Sequence, residues 1–547
     1  MSVRLLDCTL RDGGFVNDWK FGNSVILNIF KRLVKSNIEY IELGFLDDRV
    51  PKDLNRTIMP DTQTINEIFG RENKGKSTVL AMIDYGTCGI DSVQPCDETF
   101  IDGIRVIFKK SDADNALAFC QELKNLGYKV FVQPVSITSY SESEIVELVK
   151  KINDLHPYSM AIVDTYGLLH KDNLLEYFKL INQNLNPAIG LGYHSHNNFQ
   201  LSYSNCIELL RECQDNRALT LDASLYGMGK SAGNANTELV ASYLNNNYHK
   251  KYDIDQILEA IDVDIMNIYA ETPWGYSLPF YLAAINDCHP SYVQWLINKK
   301  TLSIKDINIL LQRINNDKLS FNQDLIEKLY EAYQSIEKDD NEAHTILLNK
   351  IDNYNIMILG PGASLTEYQD KITELIEKEN LLVFSTNFIP EQINIDYLFI
   401  SNAKRYSNDR ETIVTAKKEK PTINVIGTSN INQVANDFDF VLNYANLLKT
   451  AGNDNSLIML LAFLKNIGKR KIYLAGFDGF AKQGNYVDSA FDFDINKIKF
   501  DELNDAISQA ITKIICDSEM ELIFLTPSIY DERIGRSKRL IAGDDYV

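Results

Sequence analysis

The stretch MSVRLLDCTLRDGG, Met1–Gly14, decides the fold of the first half of the chain. Val3–Leu6 are apolar enough for a buried strand, and polar or flexible residues follow at its far end: Asp7, Thr9, Arg11, Asp12, Gly13 and Gly14. Arg11 and Asp12 place a cation beside an anion, and the two glycines let the backbone turn tightly and approach a ligand. This arrangement predicts a site at the end of the strand, with a surface ion pair before a turn as the alternative.

The composition excludes several classes of partner. At 547 residues the chain is too long for one ordinary core, so two or more domains are expected. A formal net charge of −20 repels phosphate backbones and anionic lipid, so we expect small-molecule partners, no nucleic acid and no membrane surface. The eight cysteines form no CxxC pair, which argues against a zinc ribbon or a disulfide framework.

The same sequence predicts a cytoplasmic protein without a membrane span. The N-terminus becomes polar within seven residues, which is not typical of a signal peptide. No apolar run approaches the ~18 residues that a membrane helix needs. Scattered cysteines are typical of reduced thiols in a cytoplasm.

Short apolar runs alternate with amphipathic stretches from residue 1 to about residue 250. Eight of them are candidate strands: Val3–Cys8, Tyr40–Phe45, Thr78–Ile83, Gly103–Phe108, Lys129–Val135, Met160–Asp164, Ile189–His194 and Leu219–Leu225. Eight β-then-α units in this length predict an α/β fold of the (β/α)8 TIM barrel type, whose sites gather at the C-terminal ends of the strands. An open doubly wound sheet is the competing fold, because periodicity cannot reveal closure.

Polar residues within or just after these strands are the candidate site residues, because burying a charge is costly unless it is paired or bound to metal. His194 and His196 are two apart on an extended segment, so both imidazoles point the same way. With Asp12 they would supply two nitrogens and one oxygen to a divalent cation, whereas two partly exposed loop histidines are the alternative. The further candidates, predicted to contact substrate, are Glu42, Arg105, Gln133, Asp164 and Thr165. The glycine-rich run Leu225–Glu238 suits a loop pressed against a ligand, and its Asn234 could add a neutral oxygen ligand.

Three motifs in this order resemble a known family. TLRDGG (Thr9–Gly14), HSHNN (His194–Asn198) and GMGKSAGNANTE (Gly227–Glu238) are similar to the metal-dependent barrel lyases and synthases that include 4-hydroxy-2-oxovalerate aldolase, 3-hydroxy-3-methylglutaryl-CoA lyase and 2-isopropylmalate synthase. The resemblance implies that Asp12, His194, His196 and, as in some members, Asn234 bind Mn²⁺ or Mg²⁺. It also implies that Arg11 stabilises an enolate formed from a 2-oxo acid, which reacts with an aldehyde or acyl co-substrate.

The sequence departs from this family in its proton-transfer group. The pyruvate aldolases carry a histidine base three residues beyond the metal-binding Asp, where this chain has Phe15. The cysteine loop of the acyl-CoA lyases is not found either. Tyr281 is a candidate catalytic acid or base, because the aldolases fold a later tyrosine over the site; an aromatic residue that packs a helix onto the barrel is the alternative.

The remainder of the chain predicts further domains. We expect the aldolase-type TIM barrel at residues 1–290, a helical appendage that packs beside it or forms a homo-oligomer contact at 291–336, a linker at 337–352 and a Rossmann-like α/β domain at 353–547. ILGPGASL, STN and Ser456–Phe480 resemble the nucleotide-binding domain of bacterial sialyltransferase-like proteins that use CMP-sugars. This resemblance implies a cytidine nucleotide facing Gly360, Gly362, Ser364 and Asn387. Those transferases use a histidine base and no histidine follows His344, so nucleotide binding without glycosyl transfer is the alternative.

Three functional hypotheses follow. The favoured one is a divalent-metal-dependent lyase or synthase that makes or breaks a C–C bond next to a 2-oxo acid, in the biosynthesis of a bacterial surface polysaccharide. The second is a bifunctional protein whose C-terminal domain transfers a glycosyl group from a CMP-sugar. The third is a non-catalytic metal-binding scaffold. Exchange of 2-oxo acid protons into deuterated water separates the first hypothesis from the third.

Overall fold

The computed structural model describes residues 2–213, 217–315, 318, 320–432, 436–480 and 500–534. The chain divides into two compact units. The first comprises residues 1–293 with 318–320, and the second comprises residues 294–317 with 321–547.

The first unit is a closed barrel of eight parallel strands. They are β1 (Ser2–Asp7), β2 (Tyr40–Leu46), β3 (Thr78–Asp84), β4 (Gly103–Phe108), β5 (Lys129–Pro134), β6 (Ser159–Asp164), β7 (Gly190–Ser195) and β8 (Ala218–Ala223). Each strand pairs with the next along the chain, and β8 returns to pair with β1. This closure confirms the predicted barrel over the open sheet. A two-residue strand, Ile58–Met59, adds to β2.

Amphipathic helices surround the barrel and supply most of its core. In the helix Asn23–Lys35, for example, the buried residues Ile26, Ile29, Phe30 and Leu33 follow the spacing of one helical face. The helices of the barrel are Thr9–Asp12, Gly14–Asn17, Asn23–Lys35, Thr62–Phe69, Ala113–Asn125, Glu142–Leu155, Lys171–Asn184, Ser202–Glu212, Thr237–Tyr248 and Ile254–Ala260. A π-helical turn, Ile261–Ile265, leads into Met266–Glu271, and Leu278–Ile285 follows.

Apolar and aromatic side chains fill the interior near the N-terminal ends of the strands. Arg4 Nη1 donates to Tyr158 Oη at 2.7 Å and also to the hydroxyl of Tyr40. Leu6, Tyr40, Leu80 and Phe131 pack together next to this group. In the strand register, the charged residues Glu42 and Arg105 pair with Leu80 and Phe131, and Asp222 pairs with Leu6.

The region between the two predicted α/β domains is helical. Its helices are Pro290–Lys299, Ile304–Gln312, Gln323–Gln334 and Asn341–Ile351. The division between the two units falls within the first of these, between Val293 and Gln294. The range 337–352, predicted as a linker, contains the last helix, and its Leu347 and Ile351 are buried in the core of the second unit. This helix was not predicted, because it begins within the charged run Glu337–Glu342 and the apolar residues of the helix come only after that run.

The second unit contains a parallel sheet of seven strands. These are β9 (Ile356–Leu359), β10 (Leu382–Thr386), β11 (Tyr397–Ile400), β12 (Asn424–Thr428), β13 (Phe440–Leu442), β14 (Lys471–Ala475) and β15 (Glu521–Phe524). Their spatial order is β13-β12-β11-β10-β9-β14-β15. Ile356 and Ile358 belong to one apolar cluster and Met357 and Leu359 to another, so both faces of the sheet are buried.

Helices cover this sheet and complete the second unit. They are Ser364–Glu367, Gln369–Glu379, Ala403–Glu419, Tyr444–Ala451, Ser456–Asn466, Phe500–Cys516 and Ile529–Ile534. The helix Ser456–Asn466 is buried along nearly its whole length. None of the helices described in either unit is long and apolar enough to cross a membrane.

Candidate metal centre

Asp12, His194 and His196 meet at the C-terminal end of the barrel. One ligand atom from each lies within 4.8 Å of those of the other two, and all three residues are buried. Two imidazole nitrogens and a carboxylate oxygen form a donor set that suits a divalent transition metal or Mg²⁺. The structure therefore brings together residues that the sequence separates by more than 180 positions.

Asp12 is held by contacts to both of its carboxylate oxygens. Arg11 Nη1 donates to Asp12 Oδ1 at 2.6 Å, and Asn234 Nδ2 donates to Asp12 Oδ2 at 2.6 Å. Burial alone would raise the pKa of Asp12, but Arg11 and the two imidazoles outweigh it and hold that pKa well below its usual range. Asp12 is consequently ionised and able to bind a cation at neutral pH.

The turn that carries Asp12 is built by close packing. Asp7, at the end of β1, accepts hydrogen bonds from Thr9 N at 2.9 Å and Thr237 Oγ1 at 2.6 Å. A Cβ added at Gly14 would lie 1.9 Å from the Trp19 ring, whose Nε1 donates to Arg11 O at 2.8 Å. A Cβ added at Gly13 would lie 2.3 Å from Thr9 O. The two glycines thus accommodate protein neighbours, where the sequence predicted approach to a ligand.

The two histidines occupy the end of β7 and the residue beyond it. Their ring centroids are 5.2 Å apart. His194 Nδ1 lies 3.1 Å from Asp222 Oδ2, and His196 Nδ1 lies 3.8 Å from Asp12 Oδ2. Burial lowers the pKa of His196 to about 4 despite the nearby Asp12 carboxylate. A neutral imidazole keeps the lone pair that a metal requires.

The glycine-rich loop brings Asn234 to the same place. A Cβ added at Gly229 would lie 2.1 Å from Asn234 Nδ2 and 2.6 Å from Asp12 Oδ2, so only glycine permits this approach. Asn234 is buried, and among the described residues its Oδ1 has no hydrogen-bond partner. A buried, unpartnered amide oxygen beside two imidazoles and a carboxylate fits a site that receives a cation.

Glu42 and Arg105 extend the site into a buried charge network. Glu42 Oε2 accepts from Arg11 Nε at 2.8 Å and from Arg105 Nη1 at 3.0 Å. Arg105 Nη2 donates to Gln133 Oε1 at 3.1 Å and also to Asp222 Oδ2. Burial opposes ionisation of Arg11, but Glu42 and Asp12 outweigh it and raise its pKa. Arg11 Nη2 and Glu42 Oε1 are buried without a partner among the described residues, which leaves polar atoms for a ligand.

Asp164 and Thr165 bind neighbouring backbone. The Asp164 carboxylate accepts from Leu168 N at 2.8 Å and Leu169 N at 3.0 Å. Burial raises its pKa to about 6. Thr165 Oγ1 accepts from Ser136 N at 2.8 Å. Both residues therefore shape loops at the rim of the barrel, and their predicted contact with substrate stays a prediction.

Phe15 and Tyr281 lie on the rim and are partly exposed. The Phe15 ring packs 4.7 Å from the Trp19 ring and is 42% exposed. The Tyr281 ring lies 6.2 Å from the ring of Phe199, which follows His196 by three residues, and Tyr281 is 38% exposed. The structure thus places Tyr281 beside the loop that carries His196. Its acid or base role stays a prediction.

Two functional candidates, Asp222 and Lys230, received no role from the sequence. Asp222 is a lone carboxylate within the apolar run of β8, and that isolation was the available signal. Lys230 lies inside the glycine-rich run Leu225–Glu238, in which only the glycines and Asn234 were interpreted. Its Nζ lies 5.3 Å from the centre of the Phe15 ring.

The residues predicted to face a nucleotide in the second unit contact protein groups. A Cβ added at Gly360 or Gly362 would lie 2.5 Å from Gly476 O. Ser364 N donates to Asp478 Oδ2 at 2.8 Å, so a carboxylate of the protein accepts this backbone N–H. Asn387 Nδ2 donates to Ser456 Oγ at 2.6 Å. Gly360 and Gly362 follow β9 and pack against the backbone that follows β14, so a larger side chain would not fit at either position.

Comparisons with known proteins give matches to the first half of the chain. The family model described as HMGL-like matches residues 2–263. An oxaloacetate decarboxylase from Mycobacterium tuberculosis is 24% identical over 51% of this chain and 82% of its own length. A 4-hydroxy-2-oxovalerate aldolase from Bacillus cereus is 26% identical over 46% of this chain and 72% of its own length. The crystal structure of the Bacillus subtilis HMG-CoA lyase matches with a TM-score of 0.39 and 14% identity, over 49% of this chain and 93% of the lyase.

Proposed function

We propose that the HMGL-like barrel of residues 2–263 is a divalent-metal-dependent lyase or synthase that makes or breaks a C–C bond next to a 2-oxo acid through an enolate. Its homologues include lyases and aldolases whose names specify oxaloacetate and 4-hydroxy-2-oxovalerate. The co-substrate we propose is an aldehyde or an acyl group.

One observation carries this proposal: the Asp12, His194 and His196 ligand atoms lie together, and Arg11 extends an unpartnered Nη2 in the same buried region. Bound there with Asn234 as a further ligand, Mn²⁺ or Mg²⁺ would act as a Lewis acid toward the keto oxygen and the carboxylate of the substrate. A 2-oxo acid needs such a pairing of cation and donor, because C–C bond making or breaking places negative charge on its keto oxygen.

Arg11 is the group of this chain that meets the developing charge. Glu42 accepts from Arg11 Nε and Asp12 accepts from Nη1, so the guanidinium is fixed in orientation while Nη2 stays available to substrate. A donor held in place before the reaction loses no energy to reorganisation in the transition state. Arg105 holds Glu42 from its other side, and Trp19 covers the backbone of Arg11.

Proton transfer in this proposal belongs to Tyr281. Phe15 has no titratable group, so the position three residues after Asp12 cannot supply a base. Tyr281 lies on the helix Leu278–Ile285 beside Phe199, with its ring partly exposed at the rim. A tyrosine in this place could donate or accept a proton at the carbon that becomes the enolate terminus.

The decisive experiment is exchange of pyruvate C3 protons into deuterated water, followed by NMR with and without Mn²⁺. We expect Mn²⁺-dependent exchange that is lost in Asp12→Asn and is reduced in Arg11→Lys by more than tenfold. Absence of exchange with pyruvate and with larger 2-oxo acids would favour the scaffold hypothesis. The second unit's cytidine-nucleotide, glycosyl-transfer and polysaccharide roles stay predictions without a supporting observation in the described residues.

A further inference from the structure

Lys230 places a second cation at the opening of the candidate metal centre. Its backbone N lies 3.4 Å from Asp12 Oδ2, and its side chain extends to the Phe15 ring, 5.3 Å from Nζ to the ring centre. Among the described residues, no carboxylate lies within salt-bridge distance of Lys230 Nζ and no hydrogen bond engages it. The ammonium thus has an aromatic neighbour, while the nearest carboxylates that act on it, those of Asp12 and Asp84, lie beyond salt-bridge distance.

The side chain is half-buried, which makes the absence of a direct ion pair among the described residues significant. Desolvating an ammonium is costly unless an opposite charge or hydrogen-bond acceptors compensate. Contact with an aromatic face stabilises a lysine by about 0.5–1 kcal/mol at an exposed site, which does not replace a counter-ion. These features suit a residue whose partner arrives with a ligand.

The surrounding rings place this cation on the same wall as Arg11. Phe15, Trp19 and Phe45 form an aromatic cluster with ring centres 4.7 to 6.1 Å apart. Lys230 lies against Phe15, and Arg11 Cζ lies 5.6 Å from the Phe45 ring centre. Arg11 is already paired with Glu42 and Asp12 and serves the keto-acid end of the substrate in the proposed function. Lys230 is therefore free to bind a different anionic group of the same molecule.

We propose that Lys230 binds a second carboxylate of the substrate, so that the site prefers 2-oxo dicarboxylic acids over 2-oxo monocarboxylic acids of the same chain length. This inference rests on the proposed function for the binding of the 2-oxo acid group. It assigns Lys230 to substrate specificity, and it leaves the proton-transfer step to other residues.

The test compares matched acids by calorimetry on the Mn²⁺-loaded full chain: 2-oxovalerate with 2-oxoglutarate, and 2-oxobutyrate with freshly dissolved oxaloacetate. We expect at least one dicarboxylate to bind at least tenfold more tightly than its counterpart. Lys230→Met should abolish that preference, Lys230→Arg should retain most of it, and the affinity for monocarboxylates should change less than twofold. Lys110→Met, which removes an exposed lysine paired with Glu144, is the matched control and should change nothing.

Two outcomes overturn the inference. The first is equal binding within both pairs of acids, and the second is a preference that survives in Lys230→Met while Mn²⁺ binding is intact. Pyruvate exchange, measured separately, distinguishes these from failure of the proposed function. If pyruvate exchanges its protons but no dicarboxylate preference is found, only the role of Lys230 is contradicted. If the preference is found without exchange, the site binds 2-oxo acids but the proposed enolate chemistry is contradicted.

Discussion

His194 Nδ1 lies 3.1 Å from Asp222 Oδ2, and both side chains are buried. Asp222 is held in turn by Arg105 Nη2, so the carboxylate cannot rotate away from the imidazole. A carboxylate behind a histidine fixes its tautomer and ring orientation. With Nδ1 directed to Asp222 in this way, Nε2 of His194 would be the nitrogen that binds a cation.

We therefore expect Asp222→Asn to weaken Mn²⁺ binding by about 10- to 100-fold, because a neutral amide, which can present a donor as well as an acceptor, orients the imidazole less well than a carboxylate. Isothermal calorimetry on metal-free protein measures the change. Asp172→Asn, on an exposed helix start, is the control and should bind Mn²⁺ like the unaltered protein. Unchanged affinity in Asp222→Asn would show that His194 needs no support from Asp222.

Glu42 should contribute strongly to stability, because it joins two buried guanidinium groups. Glu42→Ala leaves Arg11 and Arg105 without their shared counter-ion and should destabilise the barrel by about 3 kcal/mol or more. Native-state hydrogen exchange of β2 and β4 reports this free energy of opening. Glu67→Gln breaks an exposed pair with Lys52 and should cost at most about 1 kcal/mol. Equal effects of the two substitutions would contradict the network.

Much of the barrel could be predicted because its signals are local. Each of the eight strands was placed within about two residues, since short apolar runs between amphipathic stretches mark buried parallel strands. Closure was not predictable from periodicity, because it depends on β8 meeting β1 across the whole barrel. We predicted a linker at 337–352 because the local charged run Glu337–Glu342 is typical of one. The structure has a helix over Asn341–Ile351, and the Leu347 and Ile351 side chains that follow the charged run are buried.

The site shows the same limit at the level of single residues. Asp12, His194 and His196 were identifiable because charged or imidazole side chains at strand ends require an explanation. The partners of Glu42 were not, since the contact of Arg11 with Glu42 joins the short helix after β1 to the interior of β2 and depends on how the two pack in the folded barrel. Contact of Asp164 with substrate, predicted from its position at a strand end, stays a prediction. Its hydrogen bonds from Leu168 N and Leu169 N depend on the conformation of the loop and could not be predicted.

Stability of the barrel should depend on the charge of Asp7. Burial raises its pKa from 3.8 to about 6, with partial compensation from Thr237 and Thr9. Between those two pKa values the folded state holds a proton that the unfolded state has released, so stability falls as pH rises through this window and levels off above it. A pKa difference of this size corresponds to about 3 kcal/mol.

Asp7→Asn removes this titration and keeps groups that can bind Thr9 and Thr237. The free energy of opening of the variant, relative to the unaltered protein, should therefore increase by about 2.5 kcal/mol from pH 4 to pH 7.5. Hydrogen exchange of β1 and β8 at both pH values measures it, with Asp172→Asn as the exposed control. A difference that is constant with pH would mean that Asp7 titrates near its ordinary value.

The substitution Gly229→Ala tests whether Mn²⁺ binding requires the close approach of the glycine-rich loop to Asp12 and Asn234. A methyl group at this position would collide with Asn234 Nδ2 and Asp12 Oδ2, so Gly229→Ala should weaken Mn²⁺ binding at least tenfold. Gly89→Ala meets nothing closer than 3.5 Å and serves as the matched control. Calorimetric affinities that agree between the two variants would show that the loop can move aside without loss.

The central claim is that Asp12, His194 and His196 hold one divalent cation at the C-terminal end of the barrel. Electron paramagnetic resonance during titration of chelator-treated protein with Mn²⁺ tests it most directly, because free and bound Mn²⁺ give different signals. We predict one bound Mn²⁺ per chain, lost in Asp12→Asn and in His196→Gln and retained in Asp172→Asn. Absence of a bound Mn²⁺ in the unaltered protein, or undiminished binding in both site variants, would contradict the claim.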